Sequence, residues 1–119
     1  MSKLNPKRTP CPISSSLDFF GDKWTLIIIR DLLSGKSRYS QFLGSPEGIP
    51  TNILADRLKR LEEIDVVTRH QYSDHARRFE YRLTPRGKDL WPVVQEMAKW
   101  GQAHVQDAWE PGEWFWAET

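Results

Sequence analysis

The stretch Gly48 to Val67, GIPTNILADRLKRLEEIDVV, decides the architecture of this 119-residue chain. Leu54, Leu58 and Leu61 recur at offsets of four and three, with Ile53 and Ile64 flanking the same side. Residues three and four apart share one face of a helix, so this is a single apolar stripe. Asn52, Asp56, Lys59 and Glu63 centre the opposite face, with Arg57 and Arg60 nearer the edges of the stripe. One side is suited to a core while the other presents polar groups outward. Thr51 and Asn52, short polar residues at the amino end, suit capping and contact with a ligand. A helix over about 51–64 follows, although taken alone the pattern fits any amphipathic surface helix.

Its neighbours narrow that reading. Gly44 to Pro50 contains two glycines and two prolines and reads as a turn. Before it, Ser37 or Arg38 starts a short helix, about Tyr39 to Leu43, with Tyr39, Phe42 and Leu43 toward the core. A short helix, a turn and a longer helix with an exposed polar face form a helix-turn-helix, whose second helix can enter a DNA major groove. Beyond Ile64 the period changes. VVTRHQY (Val66 to Tyr72) and FEYRLT (Phe79 to Thr84) are β-rich and flank the polar loop SDHARR. A hairpin directly after a helix-turn-helix is the wing of a winged helix. Arg77 and Arg78 fall where such a wing, about 73–79, reaches a minor groove; narrow A·T-rich grooves attract arginine. Plain solvated charge is the alternative for that pair.

The flanks complete the pattern. Cys11-Pro12 opens a first helix, with Cys11 at the N-cap, Leu17 and Phe20 on the buried side, and Gly21 at its end. Asp22 caps a second helix, roughly Lys23 to Leu33, which is apolar nearly all round and so central to the core. Its β-branched run could make a strand, but the cap before it and Ser34-Gly35 after it favour a helix. Thr84-Pro85 starts a last helix through Leu90, Val93, Val94, Met97 and Trp100, with a kink expected at Pro92. Trp91, Met97 and Trp100 carry more apolar surface than the end of a small domain can bury, so a partner chain is the expected cover. Trp114-Phe115-Trp116 either folds back, joins an interface or is disordered.

The organisation is therefore a basic arm at 1–10, one domain at 11–108 and a Trp-rich acidic tail at 109–119. Charge is divided along the chain. Residues 1–88 hold sixteen Lys and Arg against ten acids, a net +6, and residues 89–119 hold one Lys against six acids, a net −5. Such a division fits a protein that offers one surface to phosphates and keeps another away from them. No apolar run approaches the roughly 20 residues of a membrane span, and the amino end lacks the apolar region of a secretion signal, so a cytoplasmic location is expected. A single Cys excludes an intramolecular disulfide and a cysteine zinc cluster. His70, His75 and His104 lack metal-ligand spacing, and no nucleophile–base arrangement or phosphate-binding glycine loop is evident. Neither an enzyme nor a cofactor or metal is expected. Trp91, Trp100 and Trp109 could line a ligand pocket, though aromatics at this spacing are more often core or interface.

With these pieces placed, the chain resembles the HxlR family of bacterial winged-helix transcriptional regulators, relatives of the MarR group. The carriers are CPISSSLDFFGDKWTLIIIRDLL (Cys11 to Leu33), SRYSQF (Ser37 to Phe42), GIPTNILADRLKRLEE (Gly48 to Glu63), RRFEYRLTPRG (Arg77 to Gly87) and LWPVVQEMAKWG (Leu90 to Gly101). Two positions depart from the family pattern. Asp65 stands where the family has Gly, and Gly21-Asp22 stands where it tends to have two glycines. The resemblance implies a mainly α fold with a small β-hairpin wing, and a homodimer on double-stranded operator DNA. It implies dimer contacts through the first and last helices, placing Leu17, Trp91, Val94, Met97 and Trp100 at the interface.

On the combined reading, Thr51, Asn52, Asp56, Lys59 and Arg60 face the groove, and Arg57 lies at its edge for a phosphate or a core-margin ion pair. Asn pairs bidentately with adenine and Arg with guanine. Arg38, Arg77 and Arg78 are expected at phosphates or the minor groove. The resemblance further implies that Cys11 senses electrophiles or oxidants. A thiol at a helix amino end is favoured as thiolate, and Lys7 and Arg8 add to this if the arm folds near. An inert cap is the alternative. A small-molecule or electrophile effector is a candidate partner. The competing functions are a winged-helix module that binds protein, and a ligand-responsive regulator without redox chemistry.

Overall fold

A computed structural model describes residues 2–74 and 78–117. Among these the elements run α1 (Pro12–Phe20), α2 (Thr25–Leu33), α3 (Tyr39–Leu43), α4 (Thr51–Glu63), β1 (Val67–Ser73), β2 (Arg78–Leu83), α5 (Pro85–Lys88) and α6 (Trp91–His104), then a 3₁₀ turn at Glu113–Trp116. The architecture is a winged helix-turn-helix, mainly α with one antiparallel hairpin. None of the described helices is long and apolar enough to cross a membrane.

The core forms where the apolar stripes meet. Ile28, Ile29 and Leu32 of α2 and Phe42 of α3 pack with Leu54, Leu58 and Leu61 of α4. Val66, Val67, Tyr81 and Leu90 close the cluster from the hairpin side. The apolar stripe of α4 is thus fully used. Leu17 and Leu43 differ from expectation: both are exposed, Leu17 on a helix none of whose residues is buried, and Leu43 about 100° around α3 from buried Phe42. Phe20 and Tyr39 are the residues of those helices that reach the core margin beside Phe42.

Asp22 caps α2 as its sequence position predicts. Its carboxylate accepts from the backbone N–H of Trp24 and Thr25 and from the Thr25 hydroxyl. The cap of α4 does not fall on Thr51 or Asn52. Pro50 holds that position in extended conformation, so both side chains are left for other contacts. At its carboxyl end, Asp65 has φ 62°, the left-handed region. Val66 N–H donates to Leu61 O and Asp65 N–H to Glu62 O, which together form a Schellman motif.

The last helix is broken where only a kink was expected. α5 ends at Lys88 and α6 begins at Trp91. Pro92 has no N–H to give the Lys88 carbonyl and its ring crowds that carbonyl, which is sufficient to interrupt the ladder. Thr84 caps α5 by accepting from Gly87 N–H.

Candidate nucleic-acid interface

With the stripe of α4 buried, Thr51, Asn52, Ala55, Asp56, Lys59 and Arg60 are exposed together along its other side. Arg57 is not among them. Its Nε donates to Asp22 Oδ2 at 2.9 Å and its Nη1 pairs with Asp56, leaving the side chain 16% exposed. The Asp22 carboxylate accordingly raises the Arg57 pKa. Of the two roles open to Arg57, the structure shows the ion pair, which ties α4 to the start of α2. Burial pushes Asp22 up, but the Thr25 hydroxyl, the Arg57 guanidinium and the Trp24 N–H outweigh it and hold the carboxyl at about 2. Asp56 also reaches Arg60 at 3.1 Å, so it orients the arginines and lowers the net charge of the face.

The start of the helix is fixed from α2. Arg30 makes two bonds to Glu47 in the turn before α4, at 2.7 and 2.9 Å. Buried Asp31 accepts from the Ser45 hydroxyl at 2.5 Å, and Lys36 donates to the same hydroxyl at 2.7 Å. The far end is fixed from α5. Thr84 donates its hydroxyl to Asp65 O at 2.6 Å, and Arg86 donates to Ile64 O at 2.9 Å. A helix held at both ends can present side chains in a fixed register.

Beside α4 stands the hairpin, paired from Val67↔Leu83 to Gln71↔Phe79 and then shifted to Ser73↔Arg78. The shift is a bulge at Tyr72, and a bulge re-aims the side chain it carries. The Arg38 guanidinium lies 3.8 Å from the centre of the Tyr72 ring and 3.7 Å from Glu80. Arg69 lies over Phe79 at 4.3 Å. Arg38, Arg69 and Arg78 line one groove with Tyr39, Tyr72 and Tyr81, between α3 and the wing. Arg38 and Arg78 were expected from sequence at this kind of surface; Arg77 lies outside the described residues. The groove also takes in Arg69 and Tyr72, which the sequence pattern does not single out. The cross-strand position of Arg69 was available from hairpin alternation, but the bulge that turns Tyr72 toward Arg38 carries no sequence signature.

The remaining candidates lie elsewhere. Cys11 is exposed at the N-cap of α1. The backbone amides of Ser14 and Ile13 lower its thiol pKa. The arm does not add its charges in the expected way: Arg8 pairs with Asp18 at 2.8 Å and Lys7 sits over the Phe19 ring. Leu17, Met97 and Trp100 are exposed. Val94 is buried, and half-buried Trp91 donates its Nε1–H to Phe115 O at 2.9 Å. Those last two serve the chain's own packing, because the tail folds back and buries Phe115.

Residues 19–108 match the model of the HxlR-like helix-turn-helix family. This chain belongs to that family. The HxlR-like assignment makes it a winged helix-turn-helix protein of a transcriptional-regulator family. Among similar sequences, the uncharacterized HTH-type transcriptional regulator sll1512 of Synechocystis is 36% identical over 76% of this chain and 67% of its own length. Rv3095 of Mycobacterium tuberculosis, with the same description, is 36% identical over 78% of this chain, which spans only 58% of that relative. Among solved structures, PA1607 superposes with TM-score 0.77 at 34% identity, covering 89% of this chain and 73% of that one. The redox regulator HypR in its reduced form gives 0.73 at 32% identity, covering 80% and 94%.

Proposed function

We propose that the chain is a homodimeric, sequence-specific DNA-binding regulator, with α4 of each subunit in the major groove of a half-site and the wing on the adjacent backbone or minor groove. The observation that carries the reading is the division of α4. Leu54, Leu58 and Leu61 are buried, while Thr51, Asn52, Lys59 and Arg60 are exposed beside a groove with three arginines. Asn52 and Arg60 are the groups able to read base edges, and Lys59, Arg38, Arg69 and Arg78 the groups placed for phosphates. Such an arrangement needs no catalytic group and no cofactor.

The test is selection of bound duplexes from a random library, followed by fluorescence anisotropy on the selected site. Affinity should fall steeply with salt, with a slope of about −0.9 per phosphate neutralised. Lys59→Ala should flatten that slope by about one contact, and Arg60→Ala should relax base preference at a cost of about 1–3 kcal/mol. Selection that enriches no sequence, with both variants indistinguishable from the parent, would sink the reading in favour of a protein-binding module.

A thiol switch at Cys11 is the finer part of the proposal. It is supported by the exposure of Cys11, its lowered pKa, and the likeness to a redox regulator. With one Cys per chain, the available products are an intersubunit disulfide, a mixed disulfide or an alkyl adduct. Diamide should change DNA affinity in the parent and not in Cys11→Ser; equal responses of the two proteins remove Cys11 from the mechanism.

A further inference from the structure

Between α2, α6 and the folded-back tail lies a cavity of about 390 Å³. Small-molecule sites run from roughly 300 to 1,000 Å³ and are mostly apolar with a few polar groups. This cavity has that character, and its lining includes no residue from α4 or the hairpin. Buried Val94 and half-buried Ala98 form its inner side. Trp109 and Trp114, 78% and 44% exposed, stand along its outer side. Two indoles left this wet at a concave apolar surface are poised for an occupant that covers them.

The charges select the kind of occupant. Arg30 and Glu110 are the ionisable groups of the lining. Arg30 has no charge to spare: it and Lys36 are set against Asp31 and Glu47 in one balanced cluster. Glu110 makes no ion pair among the described residues. It also belongs to a tail, residues 109–119, that holds three acids and no Lys or Arg. An anion would therefore meet an unbalanced carboxylate, whereas a cation would meet that carboxylate and two aromatic faces. Indole rings attract cations through their negative π-faces, most strongly where water is displaced.

We propose that this cavity binds a small lipophilic organic cation, its aromatic body against Val94 and Ala98 and its charge between Trp109, Trp114 and Glu110. The site goes beyond the nucleic-acid reading, and its test needs no DNA. Two ions of the same shape and opposite charge, tetraphenylphosphonium and tetraphenylborate, are titrated into the full chain. Binding is followed by tryptophan fluorescence and by calorimetry. The phosphonium should bind saturably with a stoichiometry of one per chain, about tenfold tighter than the borate. Glu110→Gln, a conservative change at an exposed residue, should cut that preference to about threefold, leaving the part due to the indoles, and Trp109→Ala should weaken the phosphonium more than the borate. Equal affinities for the two ions in the parent overturn the proposal, as does a preference that Glu110→Gln leaves undiminished. Phosphonium affinity that falls as the chain self-associates also overturns it, since the cover would then be a second copy.

Discussion

Asp22 shows how one side chain can serve two elements. It caps α2 through the amides of Trp24 and Thr25, and it holds Arg57 of α4. Asp22→Ala should cost about 1–2 kcal/mol, the usual range for an N-cap, and should also loosen α4. Because the folded-state pKa is about 2, below that of an unfolded Asp, the stabilisation is complete above about pH 4 and is lost as pH falls through 2. Denaturation midpoints of parent and variant should therefore differ at pH 7 and converge near pH 2; a constant difference across that range would refute the linkage. Asp65 gives the opposite test. Its left-handed backbone carries a Cβ penalty that Gly would not, so Asp65→Gly should raise stability by about 0.5–1 kcal/mol in urea titration. The sequence exposes the oddity of Asp65 but not its remedy. Thr84 and Arg86, which hold the carbonyls of Asp65 and Ile64, lie about twenty residues further on, beyond any local pattern.

At the scale of elements, what was legible is what repeats. The spacing of Leu54, Leu58 and Leu61 fixes α4 and its buried side, and the two β-rich runs either side of a polar loop after Ile64 give the hairpin. What was not legible depends on single irregularities or on contacts across the fold. The Tyr72 bulge and the separation of α5 from α6 are irregularities; the docking of the tail is a contact across the fold. Phe115 fills space against α6 while Trp91 and Gln95 both donate to its carbonyl. Neither contact leaves a periodic trace in the last eleven residues. Phe115→Ala should weaken the docking by about 3 kcal/mol, the lower end for a buried Phe. Limited chymotrypsin digestion should then cut near Trp109 well before the body of the domain, with the helical circular dichroism intact. Tail cleavage at the parental rate would mean that the hydrogen bonds, not the ring, hold the tail.

Across the whole molecule, the apolar surface that the core leaves unused needs a cover. Val93, Met97, Trp100 and His104 follow one another along α6 at helical spacing, and Trp100 lies 5.0 Å from the His104 ring. Met97 and Trp100 are 55% and 65% exposed, so this stripe is not used by the chain's own core, which instead takes Val94. Exposed Ile13 and Leu17 on α1 make a second short apolar face. Pairing such faces between two copies would cover them and set the distance between two α4 helices, which a half-site repeat of one helical turn requires. Trp100→Glu tests this directly, because a residue so exposed contributes little to the folded monomer. The parent should sediment as a dimer at micromolar concentration and melt higher as concentration rises, and the variant should sediment as a folded monomer that melts lower and independently of concentration, an interfacial loss of about 2–4 kcal/mol. DNA affinity should fall with it, since each half-site would then be bound alone. A variant that remains dimeric would move the interface off α6, leaving the exposed indole of Trp100 without a role in assembly.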